Sequence, residues 1–424
     1  MEHAQKMLDT KQDINRGYVG FIKSISSISQ ARTRKNFRSL LLFLYQYFGI
    51  AIRLSSVLLL YLYGVILIVC IHCKFAISGK RCVSRLHKDA LLYVPEFIAQ
   101  YPMHLYPILA KSLEMAFLKE NLERLTPHLR GGIVELAIGD GTLSNRIFSE
   151  QDAITGFDLN PYSLIQTKKY RHIAQRIVGD CLNPPIESEG ASLILSNNFL
   201  HHITNKEETL ENWSRMAPYA IFNENTNYWA EGWLKPTLLK RMGLKKAAKK
   251  AVDHIANHSL QTLWKKAELV SLVRRFYDVK REAAFFHEKV FFLSAVCSAL
   301  LFCYGPPTPE LQKNVMNGIL SPLTRRLTSQ MAKALIKYDA ILPRDRDVFI
   351  CWALESKKAK QDFVGDRVIL VCPDCRARLQ GNRCSQCGRS FEERDGMLFL
   401  LPNDLMKAIS FRKERAGFLG GEHL

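Results

Sequence analysis

The stretch Ile133-Val-Glu-Leu-Ala-Ile-Gly-Asp-Gly-Thr-Leu143 constrains the chain more than any other. Its apolar start reads as a buried strand that runs into a glycine-rich turn and then a helix. Glu135 stands at the end of the strand, and Gly139 and Gly141 lie in the turn. Glycines there remove the Cβ atoms that would hold a ligand away from the backbone, and they permit φ values that other residues resist. The helix that follows offers unpaired N–H groups and a partial positive charge to whatever occupies the turn. A Gly-x-Gly turn after a strand is common, so its meaning depends on what comes next.

Four further strands follow at regular spacing. Ala153 to Phe157 ends at Asp158, one βα unit after the turn, where an acid is placed to accept hydrogen bonds from ribose hydroxyls. Ala174 to Val178 ends in Gly179-Asp180-Cys181, where a carboxylate can accept from an adenine amino group. Ala191 to Ser196 leads into Asn197-Asn198-Phe-Leu-His201-His202, and Tyr219 to Asn223 ends in Glu224-Asn225. Strands alternating with helical segments predict an α/β fold with a doubly wound sheet, whose ligand site lies at the carboxyl ends of the strands.

With these residues in place, positions 110 to 225 resemble the class I S-adenosylmethionine-dependent methyltransferases, close in pattern to the ubiquinone/menaquinone C-methyltransferase-like branch. That family's first motif is an acid followed by alternating glycines. Glu135, Ala137, Gly139 and Gly141 match it, with Ala137 in place of the first glycine. The resemblance implies a Rossmann-like, seven-stranded sheet. It implies that Glu135 and the turn hold the methionine end of S-adenosylmethionine, Asp158 the ribose, and Asp180 with Cys181 the adenine. Asn197 joins this cofactor set. An NAD-dependent dehydrogenase is disfavoured, because the turn lacks the Gly-x-Gly-x-x-Gly spacing. Asn183-Pro-Pro-Ile186 resembles the motif of amino-group methyltransferases. It precedes the fourth strand and lacks the aromatic residue, so it reads as a proline-fixed loop. His201 and His202 are the candidate catalytic residues, since a histidine here could take a proton from an acceptor oxygen or carbon. Asn198 and Tyr228 lie close by in sequence. The alternative for the histidines is a capping or core role, because methyl transfer needs alignment more than acid–base chemistry.

Charge is distributed unevenly along the 424 residues. Residues 1–88 carry fourteen Lys+Arg against three Asp+Glu, while residues 89–229 carry eleven against seventeen. A nucleic-acid enzyme would more often spread basic charge around its catalytic mouth. Here the excess brackets an apolar segment, Leu54 to Cys73, twenty residues without a carboxylate or permanent cation. At 1.5 Å per residue it is long enough to cross a bilayer core of about 30 Å. Basic flanks on both sides fit a hairpin beginning near Leu40, an interfacial anchor or a single span, and a membrane location with the catalytic domain on the cytoplasmic face. Leu238 to Ile255 reads as a basic amphipathic helix suited to anionic membrane lipid. Val290 to Tyr304 is a 15-residue apolar run inside an expected insertion, 288–344, between the two final strands Val279 to Phe286 and Asp347 to Leu354.

Cys372, Cys375, Cys384 and Cys387 form C-x2-C-x8-C-x2-C, the spacing of a closed four-thiolate zinc site. The segment 368–402 is too short to bury a sufficient core, so a structural zinc ion is physically sensible. It resembles the zinc-ribbon modules that accompany methyltransferases, with Asp395 to Pro402 as the closing strand. Cys70-x-x-Cys73 has similar spacing but no second pair, and reads as apolar filler.

The expected organisation is a basic N-terminal region (1–88) with a helical anchor, a methyltransferase domain (89–355), a linker (356–367), a zinc ribbon (368–402) and a tail (403–424). The expected function is methylation of an oxygen or carbon atom of a hydrophobic or lipid-linked acceptor at the membrane. An RNA or protein methyltransferase that uses the ribbon for recognition is the rival enzyme, a protein partner at the ribbon being compatible with both. A non-catalytic membrane scaffold is the rival from another class.

Overall fold

The computed structural model describes residues 84–100, 105–129, 132–150, 152–203, 205–226, 265–291, 321–359 and 367–405, with Ile66, Val69, Cys73, Leu293, Ser294 and Gly365 singly. The anchor segment 54–73, apart from those three residues, lies outside them, as do the basic helix 238–255, Tyr228, most of the apolar run 290–304 and the tail beyond Leu405. Among the described residues no helix is long and apolar enough to cross a membrane.

The central sheet contains β1 (Ile133–Leu136), β2 (Ile154–Asp158), β3 (Ile173–Gly179), β4 (Leu193–Asn197), β5 (Tyr219–Asn225), β6 (Tyr277–His287) and β7 (Asp347–Ser356). β1 to β5 run parallel in the order 3-2-1-4-5, and β7 inserts antiparallel between β5 and β6. All four residues of β1 are buried, as expected of a central strand covered on both faces. The order reverses between β1 and β4, which opens a crevice at their carboxyl ends where α/β sheets hold ligands.

Each face carries its own apolar core. On one side lie α1 (Arg85–Gln100), α2 (Leu105–Leu125) and α7 (Ser321–Ile341), and on the other α5 (Lys206–Met216) and α6 (Lys266–Phe276). Between β1 and β3 the chain forms two short helices, α3 (Ser144–Ile147) and α4 (Pro161–Ile165). α2 is buried on nearly all sides, and its inward polar residues include Glu114, Glu120 and Asn121.

The expected insertion 288–344 is described only at its two ends. There α7 packs on α1 in the helical layer, and Val290 and Phe291, which open the apolar run, are core residues. Tyr106 and Phe291 meet edge to face at 5.0 Å.

The sheet also has nine strands where seven were expected. β10 (Glu393–Arg394) and β11 (Met397–Leu400) come from the cysteine segment, and β11 pairs parallel to β3 in the register Leu398↔Ile177, Phe399↔Val178 and Leu400↔Gly179. The closing strand of the expected ribbon therefore joins the main sheet between β3 and β10, which forms the edge. Only the hairpin β8 (Leu379–Gln380) with β9 (Arg383–Cys384) stands apart. The reason is visible in the sequence: Met397-Leu-Phe-Leu400 is too apolar to be left exposed, and the open edge of β3 offers unpaired backbone groups.

Candidate active site

The turn after β1 takes the left-handed conformation three times, at Ala137 (φ 56°), Gly139 (φ 58°) and Gly141 (φ 70°). The two glycines serve different ends. A Cβ on Gly141 would come within 2.9 Å of Ile173 Cδ1 and 3.1 Å of Thr167 Cγ2, so this glycine lets the turn pack on the β3 side. A Cβ on Gly139 would meet no protein atom within 4 Å, and its open side faces the crevice. Ala137 departs from the family's glycine at a position that requires positive φ, which costs an L-residue about 1–2 kcal/mol.

A cavity of about 280 Å³ lies over this turn, lined among others by Lys111, Glu135, Ala137, Gly139, Arg146 and Asn197. That is near the lower end of small-ligand cavities, about 300 Å³. Glu135 is buried and accepts a hydrogen bond from the Ser144 hydroxyl at the start of α3. Burial pushes its carboxyl up to about 7, helped by the nearby Glu114 and Asp140 and opposed by Ser144 and Lys111. A carboxylate held so close to neutrality gains from a cationic partner, and the ammonium of an amino-acid ligand is one.

Asp158 lies across the turn. Its Oδ2 accepts from the Gly139 amide at 2.8 Å, and its Oδ1 accepts from the Asn160 amide at 2.8 Å. Each oxygen keeps a further lone pair for a ligand hydroxyl. Asp180 is half-buried and accepts from the Leu182 amide at 2.9 Å. Leu159 and Leu182, the neighbours of these two acids in the sequence, are exposed apolar side chains at the carboxyl ends of β2 and β3. They offer apolar surface of the kind a flat ring covers. Sequence reading passed over them, although a leucine one or two residues after an acid at a strand end is itself a signal. Cys181 differs from expectation: its side chain is buried in the core, burial drives its thiol pKa upward, and Trp213 donates to its carbonyl at 2.9 Å. It can meet a ligand only through its backbone.

The expected residues thus fall into two groups. Glu135, Ala137, Gly139 and Asn197 line the cavity, and Gly141 shapes the turn from behind. Asp158 and Asp180 stand outside that cavity, at the ends of β2 and β3 along the crevice. Lys111, Ser144 and Arg146 belong to the site and were missed, because helix residues give no motif of their own.

His201 and His202 occupy a short 3-10 turn that follows β4, and their rings lie 4.0 Å apart. They part in environment: His202 is exposed, whereas His201 is buried with its Nδ1 2.5 Å from Glu224 Oε1. Glu224, at the end of β5, also accepts from the Asn225 amide at 2.9 Å. Lys206 is buried nearby and donates to the Ile203 carbonyl at 2.6 Å. Burial holds its pKa down to about 8, opposed by Glu224. Asn197 accepts from Asn223 at 2.6 Å, tying the end of β4 to β5 beside the cavity. Glu224 was legible as the acid ending β5, but its pairing with His201 needed the register of β4 and β5.

The four cysteine sulfurs lie within 4.8 Å of one another. Cys372 and Cys387 stand 3.8 Å apart, Cys375 and Cys384 3.3 Å. Tetrahedral zinc with bonds of about 2.3 Å needs sulfurs about 3.8 Å apart, so the set fits that ion.

Residues 134–218 match the family model described as "Methyltransferase domain". Several solved structures are similar to the chain. One is the cyclase SpnF, with 13% identity over 57% of this chain and 80% of that one and a TM-score of 0.34. Another is described as a sarcosine dimethylglycine methyltransferase from Galdieria sulphuraria, with 14% identity, 62% and 98% coverage and a TM-score of 0.37. A third is geranyl diphosphate C-methyltransferase from Streptomyces coelicolor A3(2), with 11% identity, 59% and 83% coverage and a TM-score of 0.33. No curated protein matches the chain. The domain defines an enzyme of the S-adenosylmethionine-dependent methyltransferase class, on a Rossmann-like mixed sheet.

Proposed function

We propose that the enzyme methylates an oxygen or carbon atom of a hydrophobic or lipid-linked small molecule at a membrane, as a member of the ubiquinone/menaquinone C-methyltransferase-like branch. The single observation that carries the choice of atom is the buried His201–Glu224 pair at the carboxyl ends of β4 and β5. S-adenosylmethionine supplies, when bound, an electrophilic methyl group. Glu135, the turn and Asn197 would hold its amino-acid end, Asp158 its ribose, and Asp180 with Leu159 and Leu182 its adenine. Glu224 orients the His201 ring through Nδ1, which leaves Nε2 as the atom to accept a proton from the acceptor. An amine acceptor has its own lone pair and needs less of such a base.

Membrane action rests on the apolar, basic-flanked segment 54–73 and on the basic run 238–255 of the sequence. The four cysteines are read as a structural zinc site because a closed tetrahedral thiolate set leaves no position for chemistry. Two experiments test the reading. Calorimetry with S-adenosylmethionine should show binding that Asp158→Ala strongly weakens. Labelled-methyl transfer into fractionated cell extract should then place the label in the lipid fraction; label in RNA or protein would replace the lipophilic reading with the recognition one.

A further inference from the structure

The segment from Asp180 to Gly190 connects the end of β3 to β4 and begins with the acid assigned to the adenine. It has little regular structure of its own. Trp213 and Arg215 of α5 hold it at Cys181 and Glu189, and the turn between is held by the cysteine segment, almost two hundred residues later. Glu187 N donates to Ile369 O at 3.0 Å, Ile369 N to Gly190 O at 2.9 Å, and Val371 N to Pro185 O at 2.9 Å. Ile186 and Leu370 form an antiparallel bridge between them.

One side chain completes the hold. Arg376 donates from Nη1 to Pro184 O at 3.1 Å and from Nη2 to Ile186 O at 2.8 Å, bridging both ends of the Pro184–Ile186 turn with one rigid fork. Its neighbour Arg378 pairs with Glu187 at 2.7–2.9 Å. Arg376 follows Cys375 directly, sits at φ 64°, and donates its amide to Cys372 O at 2.9 Å. Its backbone is thus set by the first cysteine pair. On the other side of the same loop, Leu400 of β11 is paired with Gly179, the residue before Asp180.

We propose that the four-cysteine module is an internal clamp on the adenine side of the cofactor site, and that Arg376 is the positioning residue through which it acts. The inference rests on the cofactor reading above and deepens it. The thiolate cluster fixes the Cys372–Arg376 turn; the guanidinium then fixes Pro184–Ile186; and that loop, with β11, fixes Asp180 and Leu182. Metal binding at the cysteines is by this route coupled to cofactor affinity.

The test uses the full-length, zinc-loaded chain with Arg376→Ala and Arg376→Lys. Loss of two charge-assisted hydrogen bonds should weaken binding of S-adenosylhomocysteine about tenfold in Arg376→Ala. 5′-Methylthioadenosine, which lacks the amino-acid end, should weaken by the same factor. Arg376→Lys should recover part of the loss. Zinc content should stay at its wild-type value, and the KM for the methyl donor should rise with kcat unchanged, whereas a merely structural lesion would lower the active fraction and leave KM alone. A second measurement needs no variant: in the wild type, S-adenosylhomocysteine should slow amide exchange in residues 369–371 as well as in 180–187. Equal affinities for wild type and Arg376→Ala, or no added protection at 369–371, would overturn the clamp alone. No binding to the wild type would overturn the cofactor reading and the clamp with it.

Discussion

The Gly139 amide donates to the Asp158 carboxylate at 2.8 Å, so the turn after β1 and the acid ending β2 are one unit. The acid shapes the turn, and in the proposed reading it also holds the ribose. Asp158→Ala should therefore remove more than one ligand contact, because the turn loses its brace as well. We expect affinity for S-adenosylmethionine to fall at least about a hundredfold, from two lost hydrogen bonds to a charged group and the loosened turn. Asp158→Asn keeps an acceptor oxygen and should lose less. Titration calorimetry of both variants checks the order.

Gly139 and Gly141 should respond differently to the same substitution. In Gly141→Ala the new methyl meets Ile173 at 2.9 Å and also carries the positive-φ cost, so stability should drop by about 2–4 kcal/mol. In Gly139→Ala only the φ cost applies, about 1–2 kcal/mol, while the methyl projects into open space on the cofactor side. Urea titration should rank Gly141→Ala as the less stable variant, and binding per folded molecule should be weaker in Gly139→Ala. A Gly139→Ala enzyme with full affinity would remove the turn from the cofactor site.

Glu135 makes cofactor binding depend on pH. Its pKa is raised to about 7 in the folded protein, so folding favours the protonated form. Its contribution to stability is present at low pH and is lost as pH rises from the unfolded value, about 4.3, through 7. An ammonium ligand reverses the preference, since it needs the carboxylate. Affinity should rise between pH 6 and 8 as Glu135 gives up its proton, and level off above. Glu135→Gln should bind more weakly and flatten this dependence, which calorimetry in buffers of different ionisation enthalpy measures directly.

Strands β2, β4, β5 and β7 were legible because each is an apolar run closed by an acid or an amide, and period and punctuation alone locate such runs. Glu135, Asp158 and Asp180 were legible for the same reason, as acids at strand ends. The nine-strand sheet was not. Met397–Leu400 was visible as a strand, but nothing local says that its partner is β3, more than two hundred residues earlier. A long separation likewise hides the Arg376 fork, 190 and 192 residues from its two partners. The His201–Glu224 pair spans only 23 residues, but finding it needed the register of β4 and β5. Cys181 misled because its place beside the acid suggested a ligand contact, whereas the bend after β3 turns its side chain into the core.

Asp339 offers the last prediction, on the helical layer that the sequence assigned to an insertion. This buried carboxylate accepts from His87 Nε2 at 2.9 Å, from the Phe286 and His287 amides at 3.0 and 2.6 Å, and from Arg344 Nη1 at 3.1 Å. It thereby joins α1, the end of β6 and α7, and holds Phe286 at a φ of 66° that a phenylalanine seldom adopts. The hydrogen bond to His87 and the charge of Arg344 outweigh burial and hold its pKa well below the usual carboxylate range. A depressed carboxylate pKa contributes stability above the unfolded value, about 3.9, and that contribution is lost as pH falls below it. Asp339→Asn removes the charge but keeps the shape, and should cost about 3 kcal/mol at neutral pH. The gap to the wild type should begin to shrink below pH 4, where the unfolded wild-type chain takes up a proton that the folded carboxylate does not. Denaturant titrations at pH 7 and pH 3.5 test both parts, and an equal gap at the two pH values would show that packing, not charge, sets the effect.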